Sequence, residues 1–229
     1  MKTVISLSGG MDSSLALLLT LQQQDPANVH ALSFDYGQKQ RIELECAKRV
    51  TKLLGVEHSV IKLDFLRDFC QGVCANVDEN IDVPSAEEVL GDPHPVTEVP
   101  NRNMLFASIA IAKVMQLVPE GEEGEVILGV QGNDQYNYWD TTPTFVESLQ
   151  ATCDQIRNKV VLVKAPFREM SKKEALLATK HLGVQMEVLS NTMSCYDPVG
   201  DKACGKCNPC KERLAAFKSV GMEDPISYV

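Results

Sequence analysis

The sequence lacks the long apolar stretches of membrane and exported proteins. No segment approaches the roughly 20 consecutive apolar residues that a membrane-spanning helix needs. The first apolar run, residues 4–7, is too short for a signal peptide, and two glycines follow it closely. We therefore expect a cytoplasmic protein that contacts no membrane. Its eight cysteines should then be reduced, and either buried or metal-bound, rather than paired in disulfides.

Basic residues are also scarce. The chain has 22 Lys and Arg against 31 Asp and Glu, which gives a formal charge of −9. This balance disfavours direct nucleic-acid binding, which needs a basic surface to neutralise phosphates. The sequence contains no internal repeat and no low-complexity tract. Its 229 residues, 44% of them hydrophobic, suffice for one well-buried domain, or one domain with a small appendage.

Apolar runs alternate with helical patterns along most of the chain. The five predicted strands span residues 3–8, 29–37, 58–63, 125–130 and 159–166. Near-continuous apolar strands separated by helices are typical of a parallel sheet that is covered on both faces. From about Ser190 this alternation stops and a cysteine-rich tail begins. We predict an α/β fold with a main domain at residues 1–189 and a metal-binding segment at 190–229 packed on it.

One long segment, residues 76–100, shows neither a helix nor a strand pattern and is rich in proline and acidic residues. Segments of this length inside a domain are usually functional flaps or partly disordered loops. We expect one of these two roles here.

A glycine turn, "SGGMDSS", separates the first predicted strand from a helix. Gly9 and Gly10 let an anion approach the backbone closely. Ser13 and Ser14 lie at the helix start, where free N–H groups and the helix dipole favour negative charge. The lysine of a Walker A loop is missing. Asp12 fits beside a phosphate if it holds a Mg²⁺ bound to that phosphate, although an ordinary capped turn is also compatible with these residues.

The full string S-G-G-x-D-S resembles the PP-loop of the N-type ATP pyrophosphatases, which cleave ATP between the α- and β-phosphates. The resemblance implies a Rossmann-like adenine nucleotide α-hydrolase (PP-loop ATPase) fold. It also implies that the loop cradles the leaving pyrophosphate, which accounts for the missing lysine. Enzymes of this family activate a carboxylate or carbonyl oxygen as its adenylate.

Four cysteines near the C-terminus follow the pattern C-x8-C-x2-C-x2-C. They are Cys195, Cys204, Cys207 and Cys210. Four thiolates on one short segment can close a tetrahedral site without an open position, so we predict structural Zn²⁺. An Fe–S cluster, a redox dithiol and unpaired cysteines stay open as alternatives. Cys70 and Cys74 have helical i, i+4 spacing, for which buried apolar cysteines are the commoner explanation.

Further motifs accompany the PP-loop and the cysteines. They are "FDYGQ", "VPNRNMLF", "LGV", "PFREMSKKEALLATKHLGV" and "TMSCYDPVGDKACGKCNPCKERLAAF". In this order they resemble the 7-cyano-7-deazaguanine synthase (QueC) family, from residue 3 to about 218. The resemblance implies an ATP-dependent, C–N bond-forming ligase that converts 7-carboxy-7-deazaguanine and ammonia into 7-cyano-7-deazaguanine. This nitrile is a precursor of the modified tRNA base queuosine, and it forms through an adenylate and an amide.

The resemblance also implies the site residues. The ATP loop comprises Leu7, Ser8, Gly9, Gly10, Met11, Asp12, Ser13, Ser14, Leu15, Ala16 and Leu17. The adenosine is expected near Tyr36, Gly37 and Gln38. Asp12, Ser13 and Arg102 would be catalytic, with Asp12 holding Mg²⁺. A guanidinium such as that of Arg102 can fork onto a phosphate or a carboxylate, although a solvated arginine at a helix start would look the same in the sequence.

One segment departs from the family pattern. Where the family reads G-Y-P-D-C-R-P, this chain reads "YNYWDTTP" (136–143). We expect Tyr138, Trp139 and Asp140 to contact the deazapurine, with Trp139 either stacked on the ring or packed at a loop tip. A divergent paralogue acting on a related deazaguanine or a protein-linked acceptor stays open.

Two other classes of protein also stay open. They are a tRNA-thiolation enzyme with Cys153 as its nucleophile, and a zinc-ribbon module on an inactive nucleotide fold. We expect a homodimer.

Overall fold

The structure is a computed structural model that describes residues 1–92, 94–131 and 138–229. Five strands of these residues form one parallel sheet. They are β1 (Lys2–Ser6), β2 (Val29–Asp35), β3 (Glu57–Lys62), β4 (Glu123–Leu128) and β5 (Val160–Lys164). Each matches a strand predicted from the sequence and ends up to two residues earlier. The predicted α/β class with five parallel strands is therefore confirmed.

The strand order is β3-β2-β1-β4-β5, so the chain moves to one side of β1 first and to the other side later. In β1, Val4 and Ile5 are fully buried on opposite faces, as expected for a strand covered on both sides. In open parallel sheets, ligands bind outside the carboxyl ends of the strands, where the order reverses. Here that point lies between β1 and β4.

Helices cover both faces of the sheet. In the described residues they are α1 (Met11–Thr20), α2 (Ile42–Leu54), α3 (Asp64–Cys70), α4 (Arg102–Leu117), α5 (Pro143–Cys153), α6 (Lys172–Thr179), α7 (Gln185–Ser190) and α8 (Asn208–Ser219). Helices α4 and α5 pack on one face, and α1 and α2 on the other. None of the described helices is long and apolar enough to cross a membrane.

Helix α1 is buried on nearly all sides. Leu15, Ala16 and Leu17 are fully buried at successive positions, which a helix with one apolar stripe could not achieve. One side of α1 faces the sheet, and α6 and α7 cover another. The aliphatic sequence of this helix follows from that position, and its N-terminus is fixed at the switch point of the sheet.

Two glycines allow the close approach of chain segments around this N-terminus. Gly9 has a φ of +89°, and a Cβ atom there would lie 2.0 Å from the Glu43 carbonyl oxygen of α2. Gly129 directly follows β4, and its Cβ would lie 2.5 Å from the Ser13 Cα. A side chain at either position would force α1 away from its neighbours.

The C-terminal segment packs against the main sheet domain. Phe217 of α8 is buried in the same apolar cluster as α1, and α8 contacts α6. The guanidinium of Arg213 is fully buried and paired with Asp224, at 2.8 Å from Nε to Oδ2. The division into a domain at 1–189 and a segment at 190–229 stays a prediction.

The segment between α3 and α4 contains no helix or strand in its described residues, which exclude Pro93. Several hydrogen bonds attach it to the rest of the chain. The Lys39 N–H donates to the Asn76 carbonyl at 2.9 Å, and the Ala86 N–H donates to the Lys206 carbonyl at 3.1 Å. The segment therefore contacts both the turn after β2 and the cysteine-rich tail.

Candidate active site and metal centre

A cavity of about 230 Å³ lies at the carboxyl ends of β1 and β4. One wall is the glycine turn before α1. A second wall comes from α2 and the start of α4, and a third from residues 193–196 and the start of α8. Segments far apart in the sequence therefore meet at the edge of the sheet where a ligand site was expected.

The glycine turn is held in shape by its own serines. The Ser8 N–H donates to Ser13 Oγ at 3.1 Å, and the two hydroxyl oxygens are 3.0 Å apart. The Gly10 N–H donates to Ser8 Oγ at 3.1 Å. Gly10 is the N-cap of α1 and has no side chain that could cap the helix. The turn thus presents the positive end of α1 to the cavity, which suits an anion.

The predicted loop residues divide into two groups. Leu7, Ser8, Gly10, Asp12 and Ser13 border the cavity. The remaining predicted residues of this stretch form the turn or the buried body of α1. They are Gly9, Met11, Ser14, Leu15, Ala16 and Leu17.

Asp12 points into the cavity with one carboxylate oxygen paired. Oδ2 lies 3.1 Å from Lys172 Nζ, whereas Oδ1 is buried and has no hydrogen-bond partner in the described part of the chain. A buried carboxylate oxygen without a donor is a position that a hard divalent cation fits. The residues present are therefore compatible with the predicted Mg²⁺.

Lys172 supplies the cationic group that the glycine turn does not contain. Its side chain is only 9% exposed, and Nζ also contacts Glu212 Oε2 at 3.0 Å and Gln131 Oε1 at 3.1 Å. Sequence reasoning assigned no role to Lys172, Gln131 or Glu212. The motif around Lys172 was recognisable, but its distance from the turn in the sequence concealed that they meet.

The turn after β2 places one of its three predicted residues at the cavity. Tyr36 borders it, and its ring lies 5.7 Å from the ring of Phe106. Gln38 is buried and shapes the turn, because it accepts from the Tyr36 N–H at 2.9 Å and donates to the Phe34 carbonyl at 3.0 Å. Gly37 has a φ of +82°, and a Cβ there would lie 2.7 Å from Arg67 Cδ.

Arg102 begins α4 and borders the cavity, and its catalytic role stays a prediction. Burial alone would lower its pKa, but Tyr36, Tyr196 and Asp140 raise it above its ordinary value. Burial also raises the pKa of Tyr36 to about 12. Arg102 therefore stays a cation and Tyr36 a neutral phenol at physiological pH, next to a wall of aromatic rings.

The three predicted substrate residues lie in different environments. Tyr138 borders the cavity and shares a hydrogen bond of 3.0 Å with Thr97. Trp139 is 48% exposed and packs edge-on against Phe145. Asp140 is buried, and its Oδ2 accepts from the Asn103 N–H at the start of α4, at 3.2 Å. Their contact with a substrate stays a prediction, and residues 136 and 137 of this segment lie outside the described residues.

Glu43 is a further carboxyl group at the cavity that sequence reasoning missed. Burial raises its pKa from 4.5 to about 7, while hydrogen bonding from Gln38 and the charge of Arg102 partly oppose this shift. Gln38 Nε2 donates to its Oε1 at 3.2 Å. A helix-surface glutamate in a charged sequence gives no signal of this position.

The four cysteines of the tail lie together. Their Sγ atoms are all within 4.8 Å of one another, and those of Cys204 and Cys210 are 4.0 Å apart. Thiolates around one Zn²⁺, with Zn–S bonds of about 2.3 Å, are about 3.8 Å apart. The cluster can therefore hold a single metal ion without rearrangement of the chain.

Backbone groups prepare these sulfurs for a metal. The Cys204 N–H donates to Cys195 Sγ at 3.2 Å, and the Cys207 N–H donates to Cys204 Sγ at 3.4 Å. Hydrogen bonds from Cys195 and Cys210 lower the pKa of the Cys207 thiol, whereas hydrogen bonding with Cys195 and Cys207 raises that of Cys210. The backbone donors stabilise the thiolate, which is the form that binds metals.

The pKa of Glu43 predicts a pH effect on stability. The folded pKa of Glu43, about 7, exceeds the unfolded value of 4.5. The stabilising contribution of the protonated Glu43 carboxyl is therefore complete below the unfolded pKa and is lost as pH rises through the folded pKa. Glu43→Gln stays neutral, so it should gain stability relative to the wild type between about pH 5 and pH 8. Urea unfolding at both pH values measures this gain. Glu45→Gln, on the exposed side of the same helix, is the control. Parallel pH profiles for wild type and Glu43→Gln would contradict the prediction.

The cysteine cluster predicts that metal content and stability change together. Cys207→Ser removes one of four ligands, so bound metal should be lost and the melting temperature should fall, because structural metal sites contribute folding free energy. Elemental analysis and thermal unfolding measure the two effects. Cys153→Ser, at a buried cysteine outside the cluster, should lower the melting temperature but keep the metal. Retention of the full metal content by Cys207→Ser would refute the assignment.

The chain is similar to a known protein family along nearly its whole length. A family model described as queuosine biosynthesis protein QueC matches residues 2–221. The 7-cyano-7-deazaguanine synthase of Rickettsia akari is 35% identical over 237 residues, which cover 100% of this chain and 99% of that protein. The enzyme of the same name from Pseudomonas putida is 38% identical over 234 residues, with 99% of this chain and 98% of that protein covered.

Among solved structures, the U34-tRNA thiolase NcsA from Methanococcus maripaludis has a similar fold. The TM-score is 0.51 at 17% sequence identity, and the match covers 96% of this chain and 65% of that chain. At this identity the likeness concerns the fold alone. Together with the family model, it confirms the fold class that the glycine turn predicted.

Proposed function

Because this chain belongs to the QueC family of queuosine biosynthesis proteins, we propose that it converts 7-carboxy-7-deazaguanine and ammonia into 7-cyano-7-deazaguanine at the cost of ATP. The curated relatives that bear the name of this synthase match this chain along nearly their whole length. The observation that carries the proposal is the cavity itself, in which an anion-binding turn, a buried lysine and an aromatic wall with Arg102 face one another.

The turn and its surroundings form the ATP half of the proposed site. The N–H groups at the start of α1 and the Lys172 ammonium meet the negative phosphates, and Asp12 would hold the Mg²⁺ that neutralises them. Tyr36, at the end of β2, borders the space proposed for the nucleoside. This arrangement favours loss of pyrophosphate, since the positive groups stabilise the charge that develops on the leaving group.

Arg102 and the aromatic residues form the proposed acyl half. A guanidinium pairs with the substrate carboxylate through two parallel hydrogen bonds, and the rings of Tyr36, Phe106 and Tyr138 provide apolar surface for a planar base. Attack of the carboxylate oxygen on the α-phosphorus forms the adenylate and releases pyrophosphate. Ammonia adds to the activated carbon, a proton is lost, and AMP departs with the first carboxylate oxygen. The amide oxygen then attacks the α-phosphorus of a second ATP and releases pyrophosphate, and the departure of AMP with that oxygen and of both amide N–H protons leaves the nitrile.

For the cysteine cluster we propose one structural Zn²⁺ bound by Cys195, Cys204, Cys207 and Cys210. The close spacing of the sulfurs supports this choice. A four-iron cluster would hold its thiolates farther apart, because each binds a separate iron. All four positions around a tetrahedral zinc would be filled, so the metal would stabilise the fold and take no part in the chemistry.

The thiolation alternative has less support. Its candidate nucleophile, Cys153, is 4% exposed in the core between α5 and the sheet. Burial raises the pKa of this thiol, whereas a nucleophilic cysteine needs a stabilised thiolate. Ammonia as the nitrogen donor and a homodimer are proposed from the family resemblance, and the cytoplasmic location stays a proposal from the apolar pattern of the sequence.

Asp12 provides the direct test of the activity. The wild type, incubated with 7-carboxy-7-deazaguanine, ammonium and Mg–ATP, should form the nitrile together with AMP and pyrophosphate, as measured by mass spectrometry. Asp12→Ala should form none while its melting temperature stays close to that of the wild type, because Lys172 keeps Glu212 as a partner and Asp12 Oδ1 has no hydrogen bond to lose among the described residues. Asp68→Ala, at an exposed aspartate on α3, is the control. Product formation by Asp12→Ala at the wild-type rate would remove the support for the ATP site.

Asp140 tests the acyl half. Its carboxylate holds the start of α4, which carries Arg102, so Asp140→Ala should displace Arg102 and raise KM for the carboxylate substrate. Loss of one such contact costs about 1–3 kcal/mol, or about one to two decades in affinity. KM for ATP should change little. Trp139→Phe retains an aromatic ring against Phe145 and should leave both constants unchanged. An unchanged KM for the carboxylate in Asp140→Ala would contradict this assignment.

A further inference from the structure

Ser194 lies in the wall of the cavity that the C-terminal segment provides. It follows Met193, whose N–H donates to the Gly9 carbonyl at 3.0 Å. It precedes Cys195 of the metal cluster. The segment therefore runs alongside the glycine turn and connects it with the proposed zinc site.

Two N–H groups donate to the Ser194 hydroxyl oxygen. The Met11 N–H, at the first turn of α1, lies 3.0 Å from Oγ, and Arg213 Nη1 lies 3.4 Å from it. A serine hydroxyl has two acceptor lone pairs and one proton to donate. Both lone pairs are thus engaged, and the proton is left to donate. No acceptor for it is present among the described residues, and the side chain borders the cavity.

The donor from Arg213 is fixed and charged. This guanidinium is fully buried, and it pairs with Asp224 through Nε at 2.8 Å and Nη2 at 3.0 Å. Nη1 also donates to Thr192 Oγ1 at 2.8 Å. A hydroxyl that accepts from a cation is itself a stronger donor, because hydrogen bonds in a chain polarise one another.

We propose that the Ser194 hydroxyl donates a hydrogen bond to the pyrophosphate portion of bound ATP, as a binding residue supplied to the glycine turn by the C-terminal segment. The inference rests on the proposed ATP-dependent function. It extends the anion site beyond the contiguous loop, and it assigns a task to the serine between the metal cluster and α1. A hydroxyl held by a helix N-terminus on one side and a cation on the other suits an anionic ligand.

The experiment measures ligand binding by calorimetry in the presence of Mg²⁺. The ligands are α,β-methylene-ATP, pyrophosphate and AMP. Ser194→Ala should weaken the binding of α,β-methylene-ATP and of pyrophosphate by about 10- to 100-fold, which is the effect of losing one hydrogen bond to a charged group. Its affinity for AMP should stay unchanged. Ser194→Thr retains the hydroxyl and should bind all three as the wild type does.

Thr192→Val is the matched control for a merely structural role. It removes another acceptor of Arg213 Nη1 but leaves the Ser194 hydroxyl in place. It should lower the melting temperature without weakening the binding of pyrophosphate. If Thr192→Val weakens pyrophosphate binding as much as Ser194→Ala does, the effect is structural and the proposal is overturned.

The remaining outcomes separate this inference from the proposed function. Normal pyrophosphate binding by Ser194→Ala, with nitrile formation by the wild type, overturns the role of Ser194 alone. A second outcome is that Ser194→Ala binds pyrophosphate more weakly, while the wild type binds ATP but forms no nitrile. This outcome supports the role of Ser194 and overturns the proposed substrate. A wild type that binds neither ATP nor pyrophosphate overturns both.

Discussion

The burial of α1 is the constraint from which the rest of the site follows. Because the helix is enclosed between the sheet and α6 and α7, its position is fixed, and its N-terminal N–H groups need partners where water is scarce. Ser194 meets one of these groups, and the serines of the glycine turn hold the backbone in front of them. This end of the helix is where we propose that the anionic ligand binds.

Charge balance is a second organising feature of the cavity. Lys172 contacts two carboxylates, Asp12 and Glu212, so the positive charge of its ammonium group is balanced by the protein itself. Arg102 stands among tyrosines and near Asp140. The positive groups are therefore oriented by the protein before any phosphate arrives, which reduces the reorganisation needed on binding.

The sequence contains the information for contiguous features and much less for assembled ones. All five strands were predictable, because buried parallel strands have apolar runs of recognisable length. The glycine turn and the four cysteines were predictable because each set lies on one short segment. Lys172, Glu43 and Ser194 were not, since nothing in their local sequence shows which strand ends they approach. The acceptance by Asp140 of a hydrogen bond from the backbone of α4 was not predictable either, and its contact with the substrate stays a prediction.

The anion site also has a consequence for the order in which the chain can mature. Its turn precedes Lys172 and Ser194 in the sequence by most of the sheet and is therefore synthesised before them. A nascent chain thus carries the glycine turn long before the groups that complete it emerge from the ribosome. Nucleotide stabilises only states that can bind it, so it cannot guide the early stages of folding. The sheet around β1 therefore forms without help from nucleotide, and ATP bound at the proposed site would stabilise only chains whose C-terminal segment has already docked.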